Sequence, residues 1–172
     1  MTDVDRLFRT YNAQLVRYLT RRLGDRDWAE EVAQETFVRA LRQSDIQNER
    51  AWLFAVATNL VRDEARKDTA RRKHLTLLAE QEKDSVVESR EVTVERAEEA
   101  AFARKAVDSL AEKDRLALLM REEGLSYDEI AEALQLSPGS IGTTLSRARR
   151  RLVESYEELQ RSRQEREKNA AS

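Results

Sequence analysis

Apolar residues along this chain recur at intervals of three and four, the period of an amphipathic helix, and strand-like alternation is missing. Val4, Leu7, Phe8, Tyr11, Leu15, Leu19 and Leu23 form one stripe, and Gly24 offers a stop behind it. Residues 25–27 predict a break, and a second helix follows from about Trp28. In DWAEEVAQETFVRALRQ, Trp28, Val32, Ala33, Thr36, Phe37 and Ala40 spread over one side. Asp27, Glu31, Gln34 and Glu35 gather on the other as a compact acidic strip with no i,i+4 Lys or Arg partner inside it. Polar residues 44–49 (SDIQNE) predict a loop. A third helix is expected over residues 50–73, with Leu53, Val56, Ala57, Leu60 and Val61 facing a core. From His74 to about Glu95 the period dissolves into an acidic stretch that reads as a linker. Helix resumes near Glu95, carrying Phe102, Ala106, Val107 and Leu110, then Leu116, Leu119 and Met120 after a break at residues 111–113.

The most informative stretch is residues 124–152, GLSYDEIAEALQLSPGSIGTTLSRARRRL. Ser126 and Glu129 have the spacing of a capping box, which opens a helix bearing Ile130, Ala131 and Leu134. Leu136 is expected to close that helix, Ser137 to cap the next, and Pro138 to occupy its first turn. Ile141, Leu145, Ala148 and Leu152 are the apolar stripe of the second helix, with hydroxyls and four arginines largely around it. Two short helices, a tight turn and a basic second helix describe a helix-turn-helix with a recognition helix. After Leu152 the helix is expected to continue through Tyr156 and Leu159 and then to fray where apolar residues run out.

Composition narrows the picture. One Pro and four Gly in 172 residues fit an all-α chain, and with no Cys there is no disulfide and no thiolate chemistry. No run of about eighteen apolar residues exists, and the first residues lack a signal-peptide build, so a soluble cytoplasmic protein without membrane insertion is expected. A net charge of -2 conceals a sorting by segment. Residues 1–73 carry fifteen Lys/Arg against twelve Asp/Glu, residues 74–103 three against eight, and residues 140–153 four arginines and no acid. Arg62, Arg66, Lys67, Arg71, Arg72 and Lys73 make the end of the third helix increasingly basic, as phosphate contacts require. An enzyme is the weakest case: the one His lies in the linker, and there is no Gly-rich phosphate loop or carboxylate–His set. No cofactor and no metal is expected.

Taken together, these pieces resemble the small sigma factors of bacterial RNA polymerase, the extracytoplasmic-function (ECF) group of the sigma-70 family. AEEVAQETFVRAL is similar to the family's polymerase-clamp-binding helix, and RAWLFAVATNLVRDEARK to the helix that melts and reads the -10 element. SLAEKDRLALLMREEGLSYDEIAEALQLSPGSIGTTLSRARRRL is similar to the domain that reads the -35 element. The resemblance implies two small helical domains joined by a flexible acidic linker: residues 1–73 sigma-2-like, 74–95 linker, 96–160 a sigma-4-like helix-turn-helix domain, and 161–172 a frayed tail. It implies that Asp27, Glu31, Gln34 and Glu35 hold the clamp of the beta and beta-prime subunits of core RNA polymerase. Trp52, Asn59, Arg62, Arg66, Arg71 and Arg72 would line the path of the opened -10 strand, with residues 44–49 cradling a flipped base. Ser140, Thr143, Thr144, Arg147 and Arg150 would face the -35 duplex of promoter DNA. The linker would thread toward the polymerase active site, and an anti-sigma factor is an expected partner. Family members often carry a basic residue where this chain has Gly142 and Thr144, which weights -35 recognition toward phosphate contacts and DNA shape. The rival readings are a helix-turn-helix regulator with an N-terminal sensing or dimerisation domain, which leaves the acidic strip unexplained, and a helical adaptor with solvated basic faces.

Overall fold

The structure, a computed structural model, describes residues 1–67 and 94–172. Helix α1 (Val4–Leu23) starts where the Asp3 carboxylate accepts from the Arg6 amide, and it stops at Gly24 in the left-handed region, φ 72°. The Gly24 amide donates to the Thr20 carbonyl at 2.7 Å, and a Cβ added there would lie 2.6 Å from the Arg104 guanidinium. Both facts favour the residue without a side chain. Helix α2 (Arg26–Ala40) begins two residues before the expected Trp28 because Asp25 is its N-cap and accepts from the Trp28 amide. Helix α3 (Glu49–Lys67) follows, and residues 68–73, expected to prolong it, lie outside the described residues.

These three helices close a core around Tyr18, whose ring packs 5.0 Å from Phe54 and whose hydroxyl meets the Thr58 hydroxyl at 2.8 Å. A buried phenol needs that partner. Leu7, Leu15, Leu19, Val32, Phe37, Leu53 and Leu60 complete the packing. The expected stripes therefore face the core, with Val4, Tyr11, Leu23, Trp28 and Val56 half-buried against it and Phe8 exposed at the edge, its ring on that of Phe37.

The C-terminal half comprises α4 (Val94–Asp108), α5 (Glu112–Glu122), α6 (Tyr127–Leu134), a 3-10 turn (Pro138–Ser140) and α7 (Ile141–Ala170). The capping box forms as the sequence predicts: Ser126 Oγ accepts from the Glu129 amide, and the Glu129 carboxylate accepts from the Ser126 amide. Two details of the turn differ from expectation. Helix α6 ends at Leu134 because Gln135 adopts the left-handed conformation, φ 55°, and Ser137 caps through its backbone carbonyl, which accepts from Ser140. The tail also differs, since α7 is helical through Ala170 where fraying is expected from residue 161. Arg163 binds it down, pairing with Glu98 at 2.7 Å and lying 5.6 Å over the Phe102 ring of α4.

The two helical halves do not merely share a chain. Helix α3 packs on α6 and α1 on α5, and one apolar cluster runs through both halves, from Leu15, Leu53 and Phe54 to Met120, Leu125 and Ile130. Around that seam, Arg17 pairs with Glu123 at 3.1 Å, Arg62 with Glu112 at 2.7 Å, and Arg50 binds both oxygens of Glu129 at 2.7 and 2.6 Å. Asn48 donates to Glu132 at 2.8 Å, and Arg22, nearly buried, donates to the Thr58 carbonyl and pairs with Glu112.

This packing makes two outcomes predictable. The Arg50 guanidinium beside Glu129 pulls its carboxyl from 4.5 down to about 2, with a further lowering from the Ser126 amide. The folded state thus binds that proton less readily than the unfolded chain. The resulting stability is complete above pH 4.5 and drains away as pH falls towards 2. Glu129→Gln keeps the capping box but not the charge, so it should lower stability at pH 7 by about 1.5–3 kcal/mol. Urea titrations at stepped pH should show the gap to wild type closing below pH 4.5. Gly142 is the second case. A Cβ there meets only the Tyr127 ring, at 3.7 Å, an ordinary contact. Gly142→Ala should therefore fold and gain up to about 1 kcal/mol of stability by the same titration.

Candidate partner and nucleic-acid interfaces

Helix α2 turns two chemistries in two directions. Ala29, Val32, Ala33, Thr36, Phe37 and Ala40 are buried, and the Thr36 hydroxyl is satisfied by the Val32 carbonyl at 2.8 Å. Asp27, Glu31, Gln34 and Glu35 are all exposed on the opposite side. The strip does have one cationic neighbour at its end, Arg39, whose Nε donates to Glu35 at 3.3 Å. Both side chains are about half exposed, so the pair is weak and leaves the strip acidic. Val38 and Leu41, 43% and 68% exposed, continue the strip at seven-residue steps from Glu31 and Gln34. Neither residue was singled out by the sequence pattern, although their positions off the core stripe were a readable signal. Acids leading into exposed aliphatics suit docking on another protein more than contact with DNA.

A second surface is built on α3 and the loop before it. Trp52 is half-buried against the core, Asn59 is exposed, and Arg62 donates to the Asn59 side-chain oxygen Oδ1 at 3.4 Å as well as to Glu112. At helical spacing these three lie on one side of α3, and position 66 shares it. The side chain of Arg66 and the whole of Arg71 and Arg72 lie outside the described residues. Residues 44–49 are not uniformly a polar loop. Ile46 is buried and anchors it, while Glu49 already belongs to α3 and pairs with Arg6.

The third surface is the first turns of α7. Thr143 and Arg150 are exposed, and Ser140 is half-buried with its hydroxyl on the Ser137 carbonyl at 2.8 Å. Thr144 departs from expectation. It is 2% exposed and its hydroxyl donates back to the Ser140 carbonyl at 2.8 Å, so it does not belong to the outward face. Its place in the spacing 141, 144, 145, 148 puts it in the apolar stripe. Arg147 is held inward by Asp114, at 3.0 and 2.6 Å, and Arg151 approaches the same carboxylate at 3.7 Å. Asp114 is buried, and the Arg147 guanidinium holds its carboxyl below the usual range. Ser146 and Arg149 are exposed beside Thr143 and Arg150 and complete the basic face.

The seam contacts of Glu112, Glu123 and Glu129 with arginines, and of Glu132 with Asn48, went unread in the sequence. Arg50 and Glu129 are separated by 79 positions, and Arg17 and Glu123 by 106, so no local pattern could announce them.

With this geometry in hand, similarity to known proteins is informative. Residues 7–71 match the model of Sigma-70 region 2, and residues 103–152 match that of Sigma-70, region 4. RNA polymerase sigma factor YlaC of Bacillus subtilis is 30% identical, over 95% of this chain and 95% of its own. The ECF RNA polymerase sigma factor SigL of Mycobacterium tuberculosis is 31% identical over 89% of this chain and 88% of its own. Among solved structures, the sigma factor RpoE of Bartonella quintana, crystallised with the anti-sigma factor NepR, superposes with a TM-score of 0.64 at 22% identity, covering 91% of this chain and 98% of that one. That likeness bears on the fold alone. The region 2 match accounts for the helices that a conventional helix-turn-helix regulator would leave without a role. An acid-faced helix and a basic recognition helix, carried in that order on the two matched regions, make this chain a member of the ECF group of sigma-70 family RNA polymerase sigma factors.

Proposed function

We propose that this ECF sigma factor docks on core polymerase through the outward face of α2 and divides the promoter between its two halves. The observation that carries the reading is the sidedness of α2: its buried positions form one apolar face, and Asp27, Glu31, Gln34 and Glu35 face outward as one strip. A basic surface is the complement of that strip, and the beta and beta-prime clamp is the family's site for it. Val38 and Leu41 add an apolar end, so docking combines charge steering with burial.

On the DNA side, Trp52, Asn59, Arg62 and Arg66, with Arg71 and Arg72 beyond the described helix, are assigned to the opened -10 strand. Thr143, Ser146, Arg149 and Arg150 are assigned to the -35 duplex, with Ser140 near its edge. Arg147 contributes by fixing α7 on Asp114. One exposed hydroxyl pair and two arginines favour phosphate and shape readout over a dense base code. Sigma factors confer specificity and leave the chemistry to polymerase, so this subunit works in the cytoplasm beside it and holds no catalytic group of its own. Among the described residues no helix is long and apolar enough to cross a membrane. An anti-sigma factor, such as the one that accompanies the Bartonella quintana relative, is a fitting partner for the α2 face.

Two tests address the assignments. Glu31→Lys/Glu35→Lys should abolish pull-down of bacterial core polymerase and promoter-dependent run-off transcription while leaving helicity by circular dichroism unchanged. Retained core binding would remove the strip from the interface. Arg150→Ala should weaken holoenzyme binding to promoter duplex almost uniformly across -35 sequences and lower the slope of log affinity against log salt by about 1, measured by fluorescence anisotropy.

A further inference from the structure

By helical spacing, position 147 belongs to the face of α7 assigned to the -35 duplex. It follows Thr143 by four residues and precedes Arg150 by three, the steps that stack side chains along one side of a helix. Thr143 and Arg150 are exposed, but the guanidinium between them is turned aside. Arg147 Nε donates to Asp114 Oδ2 at 3.0 Å and its Nη2 to Oδ1 at 2.6 Å, the planar fork that Arg equally offers to a phosphate. Arg151, one turn on, reaches the same carboxylate only at 3.7 Å and is about half exposed. Asp114 itself is 1% exposed. Holding α7 in place does not by itself call for such an acid, because Ile141, Leu145 and Ala148 are already buried beneath that helix. A buried ion pair adds little stability over apolar packing of the same volume.

We propose that Asp114 is a positioning residue for promoter binding: it withholds the Arg147 guanidinium from the -35 duplex and so keeps the sequence-independent part of the affinity low. The inference rests on the assignment of the α7 face to that duplex. Phosphate contacts strengthen binding to every sequence alike. With Arg147 drawn back, the cations left on the exposed face are Arg149 and Arg150, beside Thr143 and Ser146. Burial is what lets the acid compete with DNA. An exposed carboxylate gives up its arginine readily to an approaching phosphate, since water and salt already weaken the pair. Asp114 would be left as an unpaired charge out of water, so it keeps its arginine as the duplex approaches.

The experiment uses holoenzyme reconstituted on bacterial core polymerase and promoter duplexes that differ only in the -35 segment. One duplex carries a sequence selected by the parent holoenzyme from a randomised pool, and the other a scrambled copy. Affinity is followed by fluorescence anisotropy at stepped salt for the parent, Asp114→Ala, Asp114→Ala/Arg147→Gln and Glu157→Ala. The last is a charge control at an exposed acid further along α7. Asp114→Ala strands no buried cation, because Arg147 and Arg151 both reach solvent. It should bind both duplexes about three- to tenfold more tightly and steepen log affinity against log salt by about 1. The double variant should return to the parental slope, and Glu157→Ala should keep it. Unchanged or weaker binding by Asp114→Ala overturns the proposal, since losing an anchor that only orients α7 does not tighten binding. So does a double variant that keeps the gain, or a Glu157→Ala holoenzyme that shows it, because either traces the effect away from Arg147. An Arg150→Ala holoenzyme with parental affinity and slope overturns the assignment of α7 instead, and is read independently of Asp114. Circular dichroism checks that each variant is folded. Should Asp114→Ala not fold, Asp114→Asn carries the test: a steeper slope is expected, and a parental one overturns the proposal.

Discussion

Two carboxylates in the C-terminal half have almost no access to water, and arginines from other helices supply what water would have given. Asp114 is met by Arg147 and Arg151 of α7, and Glu123 by Arg17 and Arg21 of α1. A buried charge is tolerable only when paired and hydrogen-bonded. The same chemistry therefore works at two scales: Asp114 welds α5 to the recognition helix inside one half, and Glu123 joins one half to the other. The two bonds differ in how they can be undone. Asp114 and Arg147 lie within one half, on helices that also pack through Leu145 and Ala148, buried on α7. Glu123 can be released by moving the halves apart, which returns both its carboxylate and its arginines to water instead of stranding one of them.

That difference sorts the arginines of this chain by what they can do. Arg147 lies on the recognition helix by sequence, yet its guanidinium is committed to Asp114, so the exposed polar face of that helix is Thr143, Ser146, Arg149 and Arg150. Arg22 is nearly buried, with its charge given to Glu112 and the Thr58 carbonyl, and burial lowers its pKa. Arg62 sits between these cases, half-buried and paired with a surface carboxylate. A net charge near neutrality thus conceals cations of three kinds.

Much that depends on neighbours within a few residues was legible beforehand. Gly24 as a stop, the Ser126–Glu129 box and the helical stripes all rest on local backbone chemistry, and all are present. Thr144 was misplaced by its chemistry, because a hydroxyl reads as a DNA contact, although its spacing with Ile141 and Leu145 marked it as core. Ile46 was lost among polar neighbours, and the tail after residue 160 looked unsupported because its partners, Glu98 and Phe102, lie on a helix some sixty positions earlier. The seam is the extreme case. Composition showed that charge is sorted along the chain, but not that the acids of α5 and α6 face the arginines of α1 and α3, since that is a property of docking and not of either segment.

Glu129 shows how such docking can be reversible without loss of fold. Its carboxylate has two duties, accepting the Ser126 amide that begins α6 and gripping Arg50 on the other half. If the halves part, the Arg50 contact goes and the capping box remains, because the box is made entirely within residues 126–129. Helix α6 then keeps its N-terminus, the turn at Gln135 keeps its shape, and α7 stays on Asp114. The capping box, the turn at Gln135 and the Asp114 anchor of α7 are thus all made within the C-terminal half. An acid borrowed from a cap thus serves two elements at once, its first duty supporting α6 and its second holding α6 to α3.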